Sequence, residues 1–268
     1  MEKNKTRLID EALASEKVLN TLRLGREFIV LNQKFTMLGM GIFLILNILS
    51  MSPLFGFLFT VFAGVFGLAL QIYVGRTLYN TKDIFSYIEE IKGSDINKSL
   101  GNYFAPAFGA YIGLIIFLLA LTFIFVFFGA SMGLLTENMT ELDLINLIAT
   151  LGIPLILIFL LISYVQPLVH AKIIFSTNFE EGFKSVFTIF SAKLWKSAWQ
   201  ASYFKYVAVL GTLVGGVVFV IGILLDTLVR LTGLTLIGNI GLVLLIYIFM
   251  IIMSIGSMMS QRLVEEEQ

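Results

Sequence analysis

The segment Ser163-Tyr164-Val165-Gln166-Pro167-Leu168-Val169-His170 gathers the few side chains of this chain that could handle a proton or a polar ligand within an apolar stretch. Gln166 and His170 stand four residues apart, so a helix places them on one face. Pro167 lacks an N–H, which frees a carbonyl one turn earlier for some other donor. His170 is the only histidine, and an imidazole exchanges a proton near neutral pH. Tyr164, Gln166 and His170 are therefore the candidate polar vestibule. The competing reading, which the position favours, is that His170 closes the apolar run beside Lys172 at headgroup level.

The remaining polar residues in apolar surroundings have simpler explanations. Asn47, Gln71, Asn146 and Asn239 are expected to hydrogen-bond between helices, as side-chain amides in lipid do. Asp226 and Arg230, four apart with the acid first, should form a local ion pair. Gly109 with Gly113, Gly129 with Gly133 and Gly211 with Gly215 have the spacing that lets helices approach closely, inside one chain or between two copies. Asn138-Met139-Thr140 fits a glycosylation acceptor. The chain contains no cysteine and no Walker loop, His-Glu-x-x-His, Gly-x-Ser-x-Gly or dinucleotide fingerprint, so no catalytic residue, cofactor or metal site is expected. Eighteen basic and eighteen acidic side chains cancel, which gives no ground for a nucleic-acid partner.

These residues must be positioned by membrane-spanning helices. Hydrophobic residues make up 58% of the chain and charged ones 13%, with a mean hydropathy of +0.93. A soluble domain holds roughly 45–50% apolar residues and about 25% charged. The fold class expected is all-α, a polytopic helical membrane protein with six transmembrane helices in three hairpins and amphipathic cytoplasmic interfacial helices. The spans are residues 35–51, 53–75, 106–130, 144–170, 203–225 and 236–258. Five of them reach across about 30 Å of hydrocarbon; the first is short, and its hairpin either thins the bilayer or does not fully cross. Residues 1–34 form a charged amphipathic N-terminal helix with no signal-peptide core, 35–260 the six-span domain, and 261–268 an acidic tail.

All of the basic residues except Arg230 fall on one side of these spans, which places both termini in the cytoplasm and the chain in the inner (cytoplasmic) membrane. The inner connections have helical patterning. Asn178 and Glu181 have capping-box spacing, and Phe179, Phe183, Val186, Phe187 and Phe190 follow at helical intervals, predicting a segment that lies along the membrane surface. Trp195, Trp199 and Tyr203 are expected to be interfacial anchors. Ile84, Phe85, Ile88 and Ile91 give a weaker stripe before Gly93-Ser94-Asp95. Near the N-terminus, Val18, Leu22, Gly25 and Ile29 share one face of a helix over residues 7–31. An amphipathic helix followed by a hairpin thus occurs three times, beginning near Arg7, Thr81 and Asn178.

The Gly75-Arg76 end of the second span, Gly93-Ser94-Asp95, and Gln166-Pro167-Leu168-Val169-His170-Ala171-Lys172 followed by Asn178-Phe179-Glu180-Glu181-Gly182-Phe183 carry a resemblance. The layout resembles an uncharacterised family of bacterial and archaeal multi-pass proteins known only as a domain of unknown function. The resemblance implies no catalytic residues. The functional expectation is a permease-like or transport-associated subunit without its own energy-coupling motif, its amphipathic helices offering a dock for a protein partner. The alternative is a non-enzymatic scaffold that organises partners or lipids, with the bilayer itself and a second copy among its contacts. An enzyme acting on lipid is disfavoured, because His170 has no acid or serine at a recognisable spacing.

Overall fold

The computed structural model describes residues 7–133 and 141–267, the side chains of 141–149 excepted. Among the described residues all regular structure is helical. In chain order the helices are α1 Leu8–Ala14, α2 Lys17–Leu31, α3 Gln33–Leu49, α4 Gly56–Asn80, α5 Ile84–Gly93 and α6 Ile96–Gly101. They continue as α7 Phe104–Ser131, α8 Glu141–Phe175, α9 Phe179–Val186, α10 Ala192–Ala198, α11 Ala201–Thr232 and α12 Thr235–Glu266, with a 3-10 turn at Phe187–Phe190. Five helices are long and apolar enough to cross a membrane: α4, α7, α8 over Thr150–Phe175, α11 and α12. The protein is an all-α, multi-pass membrane protein.

The first predicted span is the exception. Helix α3 has 17 residues, which at about 1.5 Å per residue falls short of the hydrocarbon thickness. It meets α2 at a 91° bend, and a sixth span is reached only if that bent pair counts as one. The bend has an identifiable cause. Asn32 leaves helical geometry, and its buried side-chain amide donates to the Ser94 hydroxyl at 2.7 Å, tying the corner to the α5–α6 connection.

The N-terminal segment forms two helices where the pattern predicted one. The Asn20 amide donates to the carbonyls of Ala12 (3.0 Å) and Ser15 (2.6 Å), which satisfies the end of α1, and Glu16 turns the chain with φ +46°. The buried face of α2 is Thr21, Leu24, Gly25 and Phe28, leaving Val18, Leu22 and Ile29 half-buried at its flanks.

A pair of short helices precedes each hairpin: α1 and α2 before α3–α4, α5 and α6 before α7–α8, α9 and α10 before α11–α12. These pairs gather at one end of the long helices and form a collar. Arg262 near the end of α12 meets Asp10 of α1 at 2.6 Å, and the hydroxyls of Thr21 and Tyr206 bond at 2.7 Å between α2 and α11. Away from the collar α7 and α8 bury little, whereas α11 stays against α12, where a Cβ on Gly238 or Gly241 would collide with Val229 or Leu225. Beyond Gly113 the only buried residue of α7 is Gly129, and α11 has none beyond Val214. In α8, no described residue before Val165 is buried.

Helix α9 is seated against the first two turns of α7. A Cβ on Gly109 would collide with the Phe179 carbonyl, and one on Gly182 with the Pro106 carbonyl, so only glycine permits backbone-to-backbone contact here. Phe108 of α7 lies 5.7 Å from Phe179, and Phe183 and Phe187 continue the row 5.2 Å apart. The phenylalanine face predicted to meet lipid is thus partly spent on α7. Of the other glycine pairs, Gly133 terminates α7 with φ +68°, while Gly211 and Gly215 face open space.

Candidate functional site

Helix α8 carries the predicted vestibule into the collar, and its end is fixed from α4. Arg76 donates to the carbonyls of Ile174 (2.8 Å) and Ser176 (2.7 Å), supplying donors and positive charge where the last turn of α8 has unsatisfied carbonyls. The same guanidinium lies over the Tyr103 ring at 5.0 Å, so one side chain links α4, α8 and the lead into α7. Gly75 lets the helices close to this distance, since a Cβ there would come within 2.7 Å of Ile174. In the sequence Arg76 counts as an inward positive charge and, with Gly75, as part of the resemblance. Its capping role has no local signal because its partners are about a hundred residues away.

Tyr164 is the hub of an aromatic latch between α8 and the start of α11. Its hydroxyl donates to the Ala198 carbonyl, and its ring meets Tyr203 edge-on at 5.3 Å and Phe204 at 6.0 Å. Tyr203 in turn donates to the Tyr164 carbonyl at 2.5 Å. Pro167 frees the Ser163 carbonyl, and the incoming donor arrives one residue further on.

The three vestibule residues do not share one environment. Tyr164 is half-buried and bonded, Gln166 is exposed, and His170 is buried with no hydrogen-bond partner at Nε2. No described carboxylate or serine completes a proton relay with His170, and no described group of acids and histidine is arranged to hold a metal. No family model, curated protein or solved structure matches the chain. The functional reading therefore rests on geometry alone.

The predicted anchors also divide. Trp199 is exposed, as an interfacial ring should be, while Trp195 is half-buried and donates to the Ile189 carbonyl at 2.7 Å. Tyr203 is fully buried and is a core residue of the latch. Among the described residues, the amides expected to join helices do so once: Gln71 reaches the Met250 carbonyl at 3.5 Å, long for a hydrogen bond. Asn47 folds back onto Phe43 of its own helix at 2.7 Å, and Asn239 is exposed. The Asn146 side chain and Asn138-Met139-Thr140 lie outside the described residues. Asp226 and Arg230 do pair, at 2.8 Å and exposed.

Proposed function

We infer that this chain is a non-enzymatic scaffold of the inner membrane, with its collar and both termini in the cytoplasm, that holds transmembrane helices of a partner protein against α11. The carrying observation is that the outer halves of α7, α8 and α11 bury almost none of their described residues. Lipid alone would cover the apolar outer halves. Lipid gives no use, however, to Gly211, Gly215 and Gly222, which share one face of α11 and open space in front of it, where a helix backbone can approach closely. The latch and the Arg76 cap support the reading by stiffening the collar that presents these helices.

The transport-associated reading shares this assembly, the energy coming from the partner. Pro154 and Pro167 inside α8 favour it, because each removes a helix hydrogen bond from a span with few neighbours along its outer half. The test is photo-crosslinking in living cells from Phe219, which is exposed on α11, with buried Ile251 as control. A discrete protein adduct from Phe219 that Gly215→Leu abolishes supports the scaffold, and a partner with ATPase activity moves the reading to transport. Lipid adducts alone would sink both.

A further inference from the structure

At the collar end of α8 a cleft of about 300 Å³ opens between α8, the 3-10 turn with α10, and the last turns of α12. Its floor is apolar and buried, formed by Leu168, Leu194 and Val264. Its rim is cationic. Lys172 and Lys193, from separate elements, both border it, and neither has an ion pair within the described residues. Glu265, the one acid on the wall, is already engaged by Arg262 at 3.5 Å and by the Gln261 amide at 2.9 Å. Thr188 and Ser191 add hydroxyls, the first donating to the Ser185 carbonyl and the second making no described hydrogen bond.

Two ammonium groups and a hydroxyl above an apolar floor have the chemistry of a phosphate site at the membrane surface. Lysine binds phosphate as a point charge, and basic pockets among spans on the cytoplasmic side take anionic headgroups. The volume is at the small end for ligand sites, enough for a phosphate with its glycerol and too small for a large polar ligand. We propose that this cleft binds a phosphate-bearing anion, with Lys172 and Lys193 neutralising its charge and Ser191 donating to an oxygen. A membrane phospholipid and a soluble phosphate ester both carry the group. The proposal stands apart from the scaffold reading, since it concerns the collar and not the outer face of α11.

The test is native mass spectrometry of the full chain, purified in mild detergent and supplied with phosphatidylglycerol, phosphatidylcholine or inorganic phosphate. The expected result is saturable retention of one phosphatidylglycerol, little phosphatidylcholine, and about thirtyfold weaker retention in Lys172→Gln/Lys193→Gln. Lys98→Gln/Lys205→Gln, which removes two charges elsewhere on the collar side, should bind as the parent does. If inorganic phosphate displaces the lipid, or binds and raises the melting temperature through the same two lysines, the site stands with a soluble source. Equal weakening by both double variants, or none by either, would overturn it. Because both lysines are exposed, the melting temperature of the first variant without added anion separates lost binding from lost folding.

Discussion

At the scale of single residues, the sequence drew attention to one turn of α8, and the structure gives its three polar side chains different surroundings. Spacing put Gln166 and His170 on one face, and the structure separates them because Gln166 turns outward while His170 is covered by its neighbours. Tyr164 and Tyr203 carry the interactions instead, through a reciprocal pair of bonds between α8 and the α10–α11 corner that local pattern cannot reveal. Tyr203→Phe keeps the ring and removes the donor to the Tyr164 carbonyl, so it should cost about 1 kcal/mol and lower the melting temperature by a few degrees in detergent. His170→Leu should behave in the opposite sense. A buried Nε2 without a partner is a desolvation cost, and leucine removes it, so the melting temperature should hold or rise. A loss of several degrees in that variant would show that the imidazole has a partner in the membrane.

At the scale of elements, the cap at Asn178 and the close approach at Gly109 and Gly113 were legible, whereas the partner they dock and the open surroundings of Gly211 and Gly215 were not. Half of the box predicted at Asn178 forms: the Glu181 N–H donates to Asn178 Oδ1 at 2.9 Å, while the Glu181 carboxylate accepts from the Thr177 N–H at 2.7 Å and not from that of Asn178. That the capped helix sits on α7 depends on Gly109 and Gly182 being brought together from 73 positions apart, a match no periodicity encodes. Gly182→Ala should therefore destabilise by about 1–3 kcal/mol through overpacking. Gly211→Ala, with open space around it, should be neutral or stabilising by up to about 1 kcal/mol in detergent. Parallel thermal melts decide this, and equal losses would remove the α7–α9 contact from the account. The seat of α1 gives a pH test. Burial acts to raise the Asp10 carboxyl, but hydrogen bonds from the Arg262 side chain and the Arg7 backbone outweigh it, and the group stays below its ordinary value. A depressed carboxylate stabilises the docked state fully above the ordinary range, near pH 4, and loses that contribution as pH falls through its lower native value. Hydrogen exchange in α1 should accelerate over that acid window, and Asp10→Asn should flatten the change.

At the scale of the whole molecule, membrane residence was readable from composition because lipid removes the need to hide apolar surface, and a helical segment before each of three pairs of apolar runs was readable from patterning, although each segment is a pair of short helices. The right-angled corner at Asn32 was not, since it is set by one buried amide bonded to Ser94, 62 residues away. The corner bears on topology. If α3 enters the bilayer without crossing, an odd number of crossings would put the two chain ends on opposite sides, whereas the collar holds α1 against the end of α12 through Asp10 and Arg262. That ion pair favours both ends on one face, as the distribution of basic residues does, and predicts that the α2–α3 unit completes a crossing or that α3 crosses by local thinning of the bilayer. Reporters fused after Gln268 and inserted at residues 92–98 should both read cytoplasmic, and one inserted at residues 136–143 should read external. A cysteine placed at Met51, at the tip between α3 and α4, then decides the corner: labelling by a membrane-impermeant reagent from outside means that the first hairpin crosses. Protection at Met51 together with a cytoplasmic C-terminus would leave the tip of the first hairpin inside the bilayer and count against a full first crossing.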